Sequence, residues 1–142
     1  MRIALAALAV AALGLAACDS TTDPRFEPAE ICDPGELVVE TIEAGTSPSA
    51  VRANSRVVLD YVGTLVATRD TFDANRAALS LAGTIAGFRQ GLTGAVVGDS
   101  VRLVIPPDLG YGGRDRRDAF GEVTIPACST LQFDLRVLDI VG

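Results

Sequence analysis

A half-buried strand and its end are predicted by the segment Val101-Arg102-Leu103-Val104-Ile105-Pro106-Pro107-Asp108-Leu109-Gly110-Tyr111-Gly112. Apolar residues at Val101, Leu103 and Ile105 alternate with other residues, which is the period of a strand with one buried face. The double proline ends the strand because proline has no N–H for the ladder. The flanking glycines free the backbone around Tyr111. From these residues alone, Tyr111 is interpreted as a turn tyrosine.

The same alternation recurs elsewhere in the chain. Apolar residues or glycine occupy every second position at Val57, Leu59, Tyr61, Gly63 and Leu65, and apolar residues do so again at Leu131, Phe133, Leu135 and Val137. The β-branched run at residues 37–42 predicts a further strand. Four strands and little helix predict a mainly antiparallel sheet with one apolar face.

One short helix is predicted, from about Ala86 to Thr93. Phe88 and Leu92 are four residues apart and would share a face. Glycines lower its helix propensity, so packing against the sheet must hold it. Those at positions 87, 91, 94 and 98 have the spacing of close packing or turns. Pattern alone therefore predicts an α+β or all-β domain.

Composition excludes several classes of function. The chain has 142 residues, which suits one domain, with a net charge of −6 and neither histidine nor lysine. An acidic chain is not typical of nucleic-acid binding, which depends on basic patches. The lack of histidine excludes Ser-His-Asp and Cys-His sites and histidine-ligated zinc. The lack of lysine excludes a P-loop and Schiff-base chemistry.

The N-terminal segment is predicted to be a targeting signal. Met1 and Arg2 precede an apolar run at residues 3–17, which is shorter than the roughly 20 residues of a membrane span and is typical of a secretory signal peptide. Leu-Ala-Ala-Cys at residues 15–18 resembles a bacterial lipobox, which implies cleavage before Cys18 and lipidation of its thiol. A plain signal peptide with an incidental cysteine is the alternative. We expect a signal peptide at 1–17, a lipidated tether at 18–35 and a folded domain at 36–142, anchored on the periplasmic or extracytoplasmic face of the cell envelope.

Two further cysteines, Cys32 and Cys128, form an even pair. Such a pair in an exported protein is typical of a disulfide. The bond would close a loop of about 97 residues and contribute up to roughly 4–5 kcal/mol by constraining the unfolded chain. The residues alone leave two free thiols open as the alternative.

Four segments together resemble the FKBP-type peptidyl-prolyl cis-trans isomerases over about residues 37–141. In chain order they are residues 61–65 with 71–73, 85–92, 101–112, and 125–126 with 129–135. The resemblance implies an α+β, FKBP-like fold, in which an antiparallel twisted sheet of about five strands wraps on one short helix. The first and last strands of that fold flank the fourth and begin beside its far end, which favours the disulfide between Cys32 and Cys128.

The activity that the resemblance implies is rotation about the X–Pro bonds of exported proteins, which assists their folding. This reaction needs no nucleophile, metal or cofactor, and we expect none. The implied partners are proline-containing polypeptides and, through the lipid anchor, a membrane. We expect a monomer that binds no nucleic acid.

The resemblance assigns catalytic roles to Tyr61, Asp73, Phe88 and Tyr111. Phe88 would form the floor under the prolyl ring, and the Tyr111 hydroxyl would donate to a carbonyl near the proline. Asp73, at the pocket edge, would order Tyr61 or a nearby arginine and touch polar ligand atoms. The other pocket residues that it implies are Phe72, Ile85, Ile125 and Phe133, with the Ile85 N–H meeting a substrate carbonyl. Without the resemblance, the apolar residues are ordinary core, and Tyr111 and Asp73 are turn residues.

Two features depart from the family pattern. Ala77 is the nearest match to a wall phenylalanine that many members carry, and the spacing from Leu81 to Ile85 is shorter than usual. The mixed-charge run at residues 114–118 lies in the loop that overhangs the pocket in relatives. It is interpreted as solvated surface, and an effect on which peptides bind is the alternative. The lower wall keeps a second hypothesis open, a non-catalytic chaperone or peptide-binding module on the same fold. A structural envelope lipoprotein without a pocket is the third.

Overall fold

The computed structural model describes residues 29–141, so the predicted signal peptide and Cys18 lie outside the described residues. The strands are β1 (Val38–Glu43), β2 (Arg56–Leu65), β3 (Thr71–Ser80), β4 (Ser100–Ile105), β5 (Arg116–Arg117), β6 (Val123–Ile125) and β7 (Leu131–Val141), and the α-helix is α1 (Ala86–Leu92). Single 3₁₀ turns follow β3 at Leu81–Gly83 and β4 at Pro107–Leu109.

Five strands form one sheet in the order β1-β4-β7-β2-β3, and every neighbouring pair is antiparallel. The remaining strands, β5 and β6, pair with each other as a separate hairpin. The predicted FKBP-like sheet of about five strands with one short helix is confirmed. Strands β1 and β7 flank β4, as the resemblance implied.

The core lies on the sheet face that carries the apolar residues of the predicted alternation. Buried residues alternate with more exposed ones along β4, along β2 apart from the half-buried Tyr61, and along β7 as far as Val137, because successive side chains of a strand point to opposite faces. The largest fully buried side chains of these strands are Leu59, Leu103, Ile105, Leu131, Val57 and Val137. Strand β1 is an edge strand whose six residues are all exposed.

Helix α1 packs on β4 through glycine. A Cβ atom on Gly91 would lie 2.5 Å from Leu103 Cδ2, and one on Gly87 would overlap Ile105 Cγ2. A helix of poor propensity is thus held by a close approach to the sheet that larger residues would prevent. Gly94 and Gly98 have positive φ values of 93° and 97°, which confirms the interpretation of the four glycines as packing and turn residues.

Two elements were not predicted from the pattern. Strand β3 has ten residues, none of them fully buried, and it forms the second edge of the sheet. The β5–β6 hairpin falls in the mixed-charge run and the loop after it. No helix within residues 29–141 has the length and hydropathy to cross a bilayer.

Candidate active site

A pocket of about 300 Å³ opens between the start of α1, strands β2, β3 and β7, and the β5–β6 hairpin. Seven of the eight residues that the resemblance implied line it together: Tyr61, Phe72, Asp73, Ile85, Phe88, Tyr111 and Phe133. The other lining residues are Leu79, Gly83, Thr84 and Arg116.

Phe88 and Phe133 form the buried base of this pocket. Phe88 is 4% exposed on α1, and Phe133 is 5% exposed on β7. Edge-to-face contacts join Phe133 to Phe88 and to Phe72, with ring centroids 5.1 Å and 5.6 Å apart. Tyr61 contacts the same two buried rings from β2, at 6.4 Å from Phe88 and 6.3 Å from Phe133. Three of these four contacts are edge-to-face, a favoured geometry for aromatic pairs, and the Tyr61–Phe133 pair is tilted at 57°.

Gly63 makes room for this cluster on β2. A Cβ atom there would lie 2.6 Å from Phe72 Cζ and 2.9 Å from a ring carbon of Phe133. The glycine in the predicted alternation is therefore a contact surface for two aromatic edges.

A β-bulge brings Phe72 and Asp73 to the same pocket. Gly63 pairs with Asp73 and Thr64 with Thr71, so Phe72 has no partner on β2. Consecutive residues of a regular strand point to opposite faces, whereas a bulge redirects one of them. The pocket thereby gains an aromatic wall and a carboxylate from adjacent positions.

The Tyr61 hydroxyl donates a hydrogen bond to Asp73 Oδ2 at 2.8 Å. Burial, followed by the hydrogen bond and the charge of Asp73, raises the pKa of Tyr61 to about 12. The phenol therefore remains protonated at neutral pH and continues to donate to the carboxylate. Asp73 orders Tyr61 in this geometry through the hydrogen bond.

Ile85 and Tyr111 supply the polar groups of the pocket mouth. Ile85 is the N-cap residue of α1 with extended backbone angles, and its N–H has no acceptor among the described residues. Tyr111 follows the 3₁₀ turn after β4 and is 36% exposed. Both groups are available to a peptide carbonyl.

Ile125 does not line the pocket. It is 6% exposed and belongs to the hydrophobic core at the end of β6, directly opposite Arg116 in the hairpin register.

The wall that the resemblance placed near Ala77 is formed instead by Leu79, which lines the pocket and packs against the core. Position 79 lies two residues beyond Ala77 on the same face of β3. Alternation counted from Asp73 would have identified it, had β3 been recognised as a strand.

Arg116 was not predicted as a pocket residue. Its guanidinium carbon lies 5.0 Å from the centroid of the Tyr111 ring, over the ring face, and the side chain lines the pocket. Residues 114–118 are all exposed, as interpreted from the sequence, and the side chain of Arg116 also lines the pocket over which the resemblance places this loop. Only the fold of the hairpin shows which residue of this run lines the pocket.

A disulfide joins Cys32 to Cys128. Next to it, the Glu30 N–H donates to the Gly113 carbonyl at 2.7 Å. The last residues of the predicted tether are thus attached to the loop after Tyr111. In residues 29–141, no three histidine, cysteine, aspartate or glutamate side chains are grouped so as to hold a metal ion.

A second concavity, of about 620 Å³, lies on the opposite side of the sheet. Exposed ion pairs occupy this surface, among them Arg102 with Asp134 and Arg76 with Asp60. The Arg76 guanidinium holds the pKa of Asp60 below its usual value. Tyr61 is the one aromatic residue in the lining of this concavity, whereas five aromatic side chains line the smaller pocket, so the aromatic pocket is the candidate active site.

The fold and the pocket define a class of protein. The family model described as FKBP-type peptidyl-prolyl cis-trans isomerase matches residues 47–138, and the chain belongs to this family. It is 36% identical over 109 residues to the FKBP-type isomerase FkpA of Escherichia coli K12, covering 73% of this chain and 37% of FkpA. It is also 36% identical over 110 residues to FK506-binding protein 2B of Rhizopus delemar, covering 72% of this chain and 50% of that protein.

Solved structures agree with this assignment. A peptidyl-prolyl cis-trans isomerase of Pseudomonas syringae pv. tomato matches with a TM-score of 0.65 and 28% identity, covering 75% of this chain and 76% of that chain. FkpA of Escherichia coli matches with a TM-score of 0.62 and 33% identity, covering 82% of this chain and 53% of FkpA. In the sequence comparisons, the chain spans 37% of FkpA and 50% of FK506-binding protein 2B, which is half or less of the length of each.

Proposed function

We propose that this chain catalyses the cis–trans isomerisation of X–Pro bonds in the aromatic pocket. The observation that carries the proposal is the convergence of Tyr61, Phe88 and Phe133 on one pocket beside the available polar groups of Ile85 and Tyr111. Membership of the isomerase family supports it.

The reaction requires only that the amide be twisted. Resonance gives the C–N bond double-bond character and a barrier of about 18–20 kcal/mol, so uncatalysed exchange takes about 10–100 s. The twisted amide has lost its resonance and is less polar than the planar one. A water-poor pocket therefore favours the transition state over the ground state, which is the requirement for catalysis.

Each pocket group has a role in this mechanism. The prolyl ring packs on Phe88, with Phe133 and Tyr61 as walls. The Ile85 N–H and the Tyr111 hydroxyl donate to carbonyls on either side of the proline and hold the peptide while the amide rotates. Asp73 acts by positioning Tyr61 through their 2.8 Å hydrogen bond.

The proposed setting is the envelope of a bacterium, where a lipid on Cys18 tethers a monomeric domain and the clients are exported polypeptides. Two observations support this setting. Residues 1–18 have the pattern of a lipoprotein signal, and a disulfide joins Cys32 to Cys128, which suits an oxidising compartment. Metabolic labelling with palmitate, abolished in Cys18→Ser, would support the anchor, whereas unlabelled protein would contradict it.

A non-catalytic peptide-binding module is the second candidate, because Leu79 occupies the wall on which a family phenylalanine is expected. A smaller side chain leaves the pocket more open to water, which weakens discrimination against the planar amide. Binding can persist in such a pocket when turnover is lost.

An exchange assay separates the two candidates. The full chain in detergent is added to a proline peptide, and cis–trans exchange is measured by NMR, with Phe88→Ala and a rapamycin-type inhibitor as controls. Acceleration that both controls abolish supports the isomerase. Peptide binding without acceleration supports the module, and neither binding nor acceleration would favour a structural lipoprotein.

A further inference from the structure

Arg116 holds a cation at the mouth of the candidate active site. Its guanidinium stacks on the face of Tyr111 at 5.0 Å from the ring centroid, and the side chain forms part of the pocket lining. A cation over an aromatic face is attracted by the ring quadrupole, and this contact limits the positions that the side chain adopts. The cation is thereby held beside the tyrosine that we propose donates to the substrate.

The neighbouring charges of the hairpin are engaged in bracing it. Asp115 accepts from the Ala127 N–H at 2.8 Å and from Arg117 at 3.0 Å. Arg117 also donates to the Gly121 carbonyl at 3.0 Å. Asp118 accepts from the N–H groups of Phe120 and Glu122 at 2.9 Å and 3.0 Å. These contacts explain most of the mixed-charge run without reference to a ligand.

Arg116 differs from these residues. Within residues 29–141 its guanidinium forms no ion pair and no side-chain hydrogen bond. Its main chain is fixed, because its carbonyl accepts from Thr124 Oγ1 at 3.1 Å and its strand position is opposite Ile125. Directly opposite residues share a face of the ladder, so burial of Ile125 orients Arg116 toward the body of the domain. The hairpin therefore presents to the pocket a cation that is not paired with a carboxylate of the described residues.

We propose that Arg116 is a specificity-determining residue that selects peptides with an acidic side chain next to the isomerised proline. The inference rests on the isomerase function proposed above and adds a substrate class to it. Guanidinium groups bind carboxylates through paired, charge-assisted hydrogen bonds. The other charged group of the pocket, Asp73, already accepts the Tyr61 hydroxyl from the β3 side.

The test compares matched peptides that differ at one position. Glutamate, alanine or lysine is placed immediately before the proline, and a second set places the same residues immediately after it. The kcat/KM for exchange and the Kd for each peptide are measured with the full chain in detergent. We expect glutamate to be preferred over lysine by roughly two- to fivefold at one of the two positions, the range of an exposed ion pair. Raising the salt concentration should reduce the preference.

Three variants separate charge from structure. Arg116→Gln should remove the glutamate-to-lysine preference, Arg116→Glu should invert it, and Arg116→Lys should retain most of it. Arg114→Glu is the matched control, since it makes the same charge change two residues away, at a side chain that is exposed and does not line the pocket. The control should leave the glutamate-to-lysine ratio unchanged.

The outcomes distinguish a failure of this inference from a failure of the proposed isomerase function. Turnover of all peptides without any charge preference overturns the role of Arg116 and leaves the isomerase intact. Absence of turnover with every peptide overturns the isomerase. The glutamate-to-lysine ratio of the Kd values then decides whether Arg116 selects acidic peptides. An equal change of the ratio in Arg116→Glu and Arg114→Glu would show a general field effect and would overturn the specific contact.

Discussion

The ring of Phe133 lies 5.1 Å from the ring of Phe88, at an interplanar angle of 85°. Phe133 belongs to β7, the last strand in chain order, and Phe88 belongs to α1, the only α-helix among the described residues. The edge of one ring on the face of the other is an attractive geometry. This contact therefore ties the floor of the pocket to the packing of α1 on the sheet, and it makes the pocket sensitive to changes in either element.

Replacing Phe88 should affect both stability and activity. Phe88→Ala removes the proposed floor and a buried side chain, so we expect turnover to be lost and the free energy of unfolding to fall by about 3–5 kcal/mol. The control is Leu92→Ala, one helical turn away and fully buried outside the pocket, with a cost of about 2–5 kcal/mol. Activity per folded molecule should survive in Leu92→Ala only. Equal activity per folded molecule in the two variants would contradict the role of Phe88 as the floor of the pocket.

The polar groups at the mouth should affect turnover more than stability. We expect Tyr111→Phe to lower kcat/KM by roughly five- to tenfold, because it removes one hydrogen bond of about 1–1.5 kcal/mol to the substrate. Asp73→Ala should also lower kcat/KM by releasing the Tyr61 hydroxyl. Exchange kinetics and denaturant unfolding of both variants check this. Full activity in both would show that the site is assigned to the wrong residues.

The ionisation of Tyr61 gives a pH prediction. Its pKa is raised from 10 to about 12 in the folded protein, so the folded state favours the protonated phenol. The resulting stabilisation is fully present below pH 10 and is lost as the pH rises from 10 to about 12. Because the chain has two tyrosines and no tryptophan, phenolate absorbance can follow this step. The rise in phenolate absorbance near pH 12 should disappear in Tyr61→Phe and remain in Tyr111→Phe. Any other pattern would reject the assignment of this pKa to Tyr61.

The glycines of α1 should resist substitution for steric reasons. Alanine is the better helix former by about 1 kcal/mol, but a Cβ on Gly87 would overlap the fully buried Ile105. We therefore expect Gly87→Ala to lower the free energy of unfolding by about 1–3 kcal/mol, the usual cost of overpacking. Gly83→Ala, whose Cβ would have no neighbour within 4 Å, should be nearly neutral in denaturant titration. A stabilised Gly87→Ala would show that the helix can shift away from β4.

Removing the disulfide should destabilise the domain. Its two cysteines are 96 residues apart in sequence, and a loop of that length is worth up to roughly 4–5 kcal/mol. Denaturant midpoints of the oxidised chain and of Cys32→Ser/Cys128→Ser should therefore differ clearly. Coincident midpoints would mean that the bond does not constrain the unfolded chain as proposed.

Much of the fold follows from local pattern. The alternation at Val57–Leu65 and Leu131–Val137 predicted which residues of β2 and β7 are buried, since one face of each strand must be apolar. The double proline after Ile105 marked the end of β4. Edge strand β3 escaped prediction because an edge places few constraints on its residues.

The pocket was less completely predicted. The resemblance named residues from four separate segments, and seven of them line one cavity. Leu79 and Arg116 were not named because each depends on an element that the local pattern did not predict. For Arg116, the resemblance placed only its loop over the pocket. Ile125 was expected on the wall but lies in the core.

The sequence by itself determined the burial pattern of the strands, the short glycine-rich helix, the absence of histidine and lysine chemistry, and the family. These properties depend on residue type and on spacing along the chain. Only the tertiary structure decided that a bulge at Phe72 directs two consecutive residues into the pocket, and that the hairpin places Arg116 over Tyr111. Both depend on which strands pair and in what register, and register is set by packing between segments that are distant in sequence.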